Sequence, residues 1–479
     1  MLSHDASRAT RNESDEGANL HPLIILAIGI FIVLGMIIVL RINAFLALIT
    51  AAIVVSLLVP GEFAEKITRV AKAFGGTAGE IGIVIALAAV IGRCLIDSGA
   101  ADRIVRAFIR LLGEKRCPVS LMSSGFVLSI PVFFDTVFYL LLPLARSMHR
   151  RTKRSYVLLI LAMGAGATIT HSLVPPTPGP LIIAGTLGID LGLMIMIGLL
   201  AAIPTAIVIL FFIGWLSRRI EIPMRPLPGG QPEPEPFPDE KLPGLLPSVL
   251  PIILPVVLIS THTVASTLAK GAEAGSAAVR AEELTAVLGD ANLAMLLAAT
   301  IALIVLQRQR GLSRGELAKT VESSLMSGGV IILITSGGGA FGEMLKEAQI
   351  GPAIQNMLVS DAGEQLGGVK LLLLGFFIAF LIKFAQGSTT VSMITTSAML
   401  AALITSREAI GYHPVYLATS IGFGAQCGNW MNDSGFWIFA KMSGLTEVET
   451  LKTWTVTVGV LAFVGLGFSI LFAKILPLV

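Results

Sequence analysis

The sequence predicts an all-α polytopic membrane protein, an inverted repeat of about 10 transmembrane helices plus two opposed re-entrant hairpins with interrupted helices. Three observations carry that prediction. Hydrophobic residues make up 54% of the 479 and charged residues 14%, so most of the chain cannot face water. Apolar runs near or above the roughly 18–20 residues that a spanning helix needs recur along the chain, at 22–40, 43–59, 189–215 and 454–473. Basic residues cluster at the ends of these runs, where they read as orientation signals. The recurrence excludes a soluble enzyme with one anchor, and a net charge of +3 gives no ground for a nucleic-acid partner.

Residues 1–21 form a polar N-terminal segment with four acids and two arginines, unlike the basic start of a cleaved secretory signal. The three cysteines are Cys94 and Cys427 in apolar stretches and Cys117 at a basic edge, which gives no disulfide framework. No metal-ligand spacing occurs, and neither a metal nor a cofactor is expected.

Short basic loops stay on the cytoplasmic side. Residues 102–116 hold five basic and two acidic groups, and 146–154 hold five basic groups and no acid. Both belong inside, yet only one apolar stretch separates them: 117–145, whose single formal charge is Asp135 and whose middle holds Gly125 and Pro131. That stretch is read as a hairpin entering from the cytoplasm and returning, its non-helical tip buried in protein or lining a wet cavity. The same orientation places the acidic segments 269–290 and 343–364 outside and the basic segment 307–319 inside; the slightly basic segment 60–78, placed outside, runs against it. The apolar stretch 371–405, with Lys383 its only charge, has both flanks outside and reads as a second hairpin entering from the opposite face.

Eight prolines between Pro223 and Pro243 interrupt the apolar pattern. They mark a cytoplasmic linker, 217–245, between a first transmembrane repeat at 22–216 and a second at 246–479. Gly79 to Gly92 and Gly329 to Gly342 have equal spacing, with Leu95 and Leu345 each three residues further on. Continuing at nearly the same offset brings Asp135 opposite Gln386, so the two tips correspond. Opposed repeats with broken helices suit a carrier that exchanges inward-facing and outward-facing forms around a midplane site.

Candidate site residues gather at the breaks. After the first hairpin, Thr170-His171 precedes Pro175, Pro176, Pro178 and Pro180, with Thr177 among them, and no helix continues through four prolines. His171 could titrate near neutral pH or bond a backbone carbonyl. In the second half, Asn432, Asp433 and Ser434 follow one another within an expected crossing. A carboxylate at membrane depth costs roughly 2.5–3.5 kcal/mol on insertion scales, so Asp135 and Asp433 should face the interior or water, as proton carriers, substrate-hydroxyl acceptors or partners of a helix end. Gly387, Ser388 and Thr389 supply hydroxyls and, where a half-helix begins, amides for an anion. Lys383 is read as snorkelling to the interface, with pairing to the substrate the alternative.

At these residues the chain resembles the gluconate permease family of gluconate:proton symporters. The resemblance runs from about residue 22 to the end, through Ile130-Pro131-Val132-Phe133-Phe134-Asp135, the proline segment, Asn432-Asp433-Ser434-Gly435-Phe436-Trp437 and Leu451-Lys452-Thr453-Trp454-Thr455. It implies a multi-pass carrier of the bacterial inner membrane, of ion-transporter architecture, taking a small organic anion with protons; carriers of this build are often homodimers. Thr136-Val137 stands where relatives often have a valine-glycine pair, and Thr177 where they often have histidine. Both Thr136 and Thr177 fall near the presumed site, so glycerate, other aldonates or a hydroxy amino acid stay open beside gluconate. The expected function is proton-coupled symport, with a passive anion channel or an intramembrane enzyme as the alternatives.

Overall fold

The computed structural model describes residues 21–225, 238–269, 276–350, 368–401, 410–431 and 433–478, and these are helical with no strand among them. Seven helices or helix pairs among the described residues are long and apolar enough to cross a bilayer. The middle of the expected linker and Asn432 lie outside the described residues.

The first half begins with α1 (Pro22–Leu34) and α2 (Ala44–Leu58), followed by α3 (Glu65–Asp97) and the amphipathic α4 (Ala100–Leu112). Gly99 and Gly113 bound α4 with positive φ, 81° and 77°, which lets the chain turn sharply onto and off a surface helix. Next come α5 (Cys117–Leu128) and α6 (Phe134–Thr152), then α7 (Tyr156–Leu173) and α8 (Pro178–Thr186), and finally α9 (Leu191–Leu216). The second half follows. It runs α10 (Leu245–Ala269), α11 (Ala277–Leu288), α12 (Ala291–Arg310) and α13 (Arg314–Glu347), then α14 (Gly368–Gln386) with α15 (Thr389–Ala401). It ends with α16 (Val415–Gly424), α17 (Ser434–Ser443), the short α18 (Glu447–Thr450) and α19 (Val456–Ile475). Among the described residues α4, α11 and the short α18 have no counterpart in the other half.

Two packed groups follow from these helices. The 33-residue α3 and 34-residue α13 lie against each other, with α2 on α13 and α12 on α3. At 1.5 Å per residue each is about 50 Å long, well beyond a hydrocarbon core of about 30 Å, so they protrude or tilt. The basic residues of segment 60–78 sit on the first turns of α3 and fold back onto α2: Lys66 Nζ donates to Leu57 O at 2.8 Å, and Arg69 to Ser56 Oγ at 2.7 Å and Pro60 O at 3.3 Å. These cations answer carbonyls at and just beyond the end of α2, a local role for basic charge in this segment.

The other group holds the broken helices. On one side α5 packs on α7 and α7 on α9; on the other α14 packs on α16 and α16 on α19; α9 meets α19, and α15 meets α8. The α5/α7 crossing is very close, since a Cβ on Gly166 would fall 2.1 Å from Met122 O and one on Gly125 2.5 Å from Met163 O. Thr170 Oγ1 adds a hydrogen bond to Phe126 O across it, at 2.8 Å.

Candidate functional site

Four interruptions of helix meet in this second group: 129–133, 174–177, Gly387-Ser388 and 425–433. Around them lies a cavity of about 380 Å³, at the small end of the roughly 300–1,000 Å³ typical of small-molecule sites. Of the residues singled out from sequence, Asp135, His171, Gly387, Ser388, Thr389, Asp433 and Ser434 line it. Thr136 and Thr177 do not. Thr177 is buried and its Oγ1 donates to Val174 O at 2.7 Å, closing the turn that leads into α8. Thr390, next in the Gly387-Ser388-Thr389 run, joins them, and Phe133, Phe134, Thr168, Asn429, Gly435 and Trp454, none of them among the selected site residues, complete the wall.

Three helices begin at this cavity. Phe134 and Asp135 open α6, Thr389 and Thr390 open α15, and Ser434 and Gly435 open α17, and all six residues line the wall. First-turn amides have no acceptor within their own helix and the helix dipole adds partial positive charge there, so helix ends of this kind favour negative charge, as Asp433 at the start of α17 shows.

Lys383 does not snorkel. Its side chain is 1% exposed, and Nζ donates to Asp433 Oδ2 at 2.5 Å and to Gly387 O at 2.6 Å. Local backbone explains the arrangement. Gly387, at φ 86°, ends α14 by donating its N–H to Lys383 O at 2.8 Å and turns its own carbonyl toward the Lys383 ammonium. Asp433 is the N-cap of α17: Oδ1 accepts from Gly435 N at 2.8 Å, while Oδ2 takes Lys383 and, at 2.5 Å, Asn429 Nδ2. Of the roles weighed for Asp433, that of partner to a helix end is met, through Oδ1.

The chain of contacts continues outward. Trp454 Nε1 donates to Asn429 Oδ1 at 3.0 Å, and the indole stacks between Phe134 and Phe439, with centroids 5.5 and 4.5 Å away. Trp454 lies in the π-helical turn Leu451–Thr455 between α18 and α19, a local widening of the kind often found at functional sites. Asp135 is held differently from Asp433: it is partly buried and makes no hydrogen bond or ion pair among the described residues. His171 Nδ1 is buried without a partner, and its ring meets Phe133 edge-on, centroids 6.0 Å apart. No grouping of histidine, cysteine and acidic side chains among the described residues could hold a metal ion.

Residues 21–475 match the GntP family permease profile. The chain belongs to that family. A gluconate permease of Pseudomonas aeruginosa is 32% identical over 464 residues, which cover 95% of this chain and 99% of the relative. The high-affinity gluconate transporter of Escherichia coli K12 is 29% identical, covering 93% and 98%, and an uncharacterised permease of Haemophilus influenzae is 30% identical, covering 95% and 92%. Among solved structures, MtrF of Neisseria gonorrhoeae superposes with a TM-score of 0.67 at 15% identity over 91% of this chain and 95% of its own. The YdaH transporter of Alcanivorax borkumensis gives 0.62 at 12% identity, covering 96% and 99%. These two share the fold. This GntP family permease is a multi-pass protein of the bacterial inner membrane, a transporter and not an enzyme.

Proposed function

We propose that this permease carries a small hydroxylated carboxylate of the sugar-acid type, with gluconate the first candidate, in symport with protons. The observation that carries this reading is one cavity that joins three helix N-termini to the unpartnered carboxyl of Asp135. The substrate carboxylate rests on the first-turn amides of α6 and α15, and its hydroxyls meet Thr389, Ser434 and His171. The relatives named for gluconate support the substrate class.

Charge supplies the coupling. With Lys383 and Asp433 paired, the charges cancel and Asp135 leaves the cavity one net negative. A carboxylate about 6 Å from an ionised Asp135 is repelled by about 3 kcal/mol at an effective dielectric constant of about 20. A proton on Asp135 removes that term, so anion and proton bind together. Asp433 is the less suitable carrier of the two acids, because its oxygens already hold an ammonium, an amide side chain and a helix end.

The hairpins α5/α6 and α14/α15 enter from opposite faces in this reading. The arm α5, 12 residues, is about 18 Å long and too short to span. The two halves are repeats of opposite orientation, and the broken-helix group moves against the α3/α13 pair. Uptake of labelled gluconate into proteoliposomes with sodium absent tests the reading: an inward proton gradient should drive accumulation above equilibrium. Uptake that only equilibrates, or that needs sodium and ignores the pH gradient, would overturn the symport.

A further inference from the structure

We infer that the Lys383 ammonium is a built-in cation, filling a cation-binding position made by the Gly387 carbonyl and the Asp433 carboxylate beside the substrate cavity. This rests on the reading of that cavity as the transport site, but not on which anion is carried.

The ammonium is held as a buried pair with a second oxygen acceptor, not as a surface pair. Nζ lies 2.6 Å from a backbone carbonyl and 2.5 Å from a carboxylate oxygen, with the side chain 1% exposed. Carbonyl and carboxylate oxygens are the ligands hard cations take. The carbonyl is available only because Gly387 ends α14 in a left-handed conformation, φ 86°. The carboxylate is oriented by its cap on Gly435 N and by Asn429, which Trp454 holds in turn. Five residues from α14, the 425–433 break, α17 and the π-helical turn therefore hold one positive charge in place. Such a charge at membrane depth is retained only with a partner, and Lys383 brings it on its own stem, where a free ion would have to be taken from solution.

Removing the ammonium while leaving its oxygens leaves a water-sized hole with an uncompensated carboxylate, which a dissolved sodium ion or a small alkylammonium can fill. The other titratable groups at the cavity, Asp135 and His171, make no hydrogen bond or ion pair with this site among the described residues.

The test uses purified full-length protein in detergent and reads thermal stability without substrate, so it stands or falls separately from the uptake experiment. Wild-type protein should melt at the same temperature in sodium chloride and in choline chloride. Lys383→Ala should melt lower in choline and rise by about 2 °C or more with saturating sodium or ethylammonium, as a ligand bound to the folded state requires. Adding Asp433→Asn to Lys383→Ala should abolish that rise. Recovery of Lys383→Ala only from buffers containing sodium or ethylammonium is the same result read at purification. Sodium-specific stabilisation of the wild type overturns the inference. So does a Lys383→Ala protein that responds to neither cation, or that is recovered with neither.

Discussion

Asp135 and Asp433 share a cavity and differ in everything that surrounds them. Asp433 has its two oxygens committed to Lys383, Asn429 and Gly435, whereas Asp135 faces the cavity with no such partner among the described residues. Substituting asparagine at each separates the roles. Asp135→Asn mimics the protonated acid, so substrate counterflow should persist while accumulation driven by a pH gradient falls to the equilibrium level, and substrate affinity should lose its dependence on pH. Loss of counterflow in this variant, with folded protein, would assign Asp135 to binding instead. Asp433→Asn breaks a buried pair and leaves an ammonium without its carboxylate, which typically costs about 3–5 kcal/mol, so its first effect should be a lower melting temperature. The carboxylates could be picked out of the sequence because an acid in an apolar run needs a reason. Lys383 was misplaced because the long aliphatic stem of lysine makes snorkelling its ordinary behaviour. Its partner lies 50 residues away, and only the fold joins them.

At the scale of elements, the breaks were legible and the contacts across them were not. Prolines between 175 and 180 and the glycine at 387 end helices by removing a donor or by turning the chain left-handed, effects that are local and so readable from sequence. Trp454 and Asn429 were not selected as site residues, because a tryptophan near a helix start reads equally well as an interface anchor or as packing. The α5/α7 crossing depends on two glycines that leave no room for a methyl group. Gly166→Ala should therefore lower the yield of monodisperse protein and its melting temperature more than Gly459→Ala, whose added Cβ meets nothing within 4 Å. Equal melting temperatures for the two variants would show that the crossing relaxes. Outside the spans, the linker end at Asp239 is held by Arg106 and Arg110, and the hydrogen bond from Arg106 keeps its carboxyl below the ordinary range. The contribution of this contact is complete at neutral pH and disappears as pH falls through the lowered value. Asp239→Asn should accordingly lower the melting temperature slightly at pH 7, and less in high salt, because the group is exposed.

At the scale of the whole molecule, loop charge gives the expected sides of the chain, and each half holds one very long helix, α3 and α13. Which helices pack against which was not readable, because long and short apolar runs look alike until they are packed. In the structure α3 and α13 pack with α2 and α12, and the broken helices pack among themselves and, through α15 on α13 and α8 on α3, against that first group. Contact between the two groups includes α8 against α3, where a Cβ on Gly185 would lie 3.8 Å from Ile81 Cγ2. Alternating access requires this boundary to shift during each cycle, whereas a rigid channel leaves it fixed. The double variant Ile81→Cys/Gly185→Cys brings two thiols near disulfide range, with Cys94, Cys117 and Cys427 all buried away from reagent. Oxidation should stop uptake and counterflow while leaving substrate binding measurable by thermal shift, and reduction should restore both. Transport that continues at full rate through the cross-linked protein would mean that α8 and α3 move as one body, and the dividing surface would have to lie elsewhere.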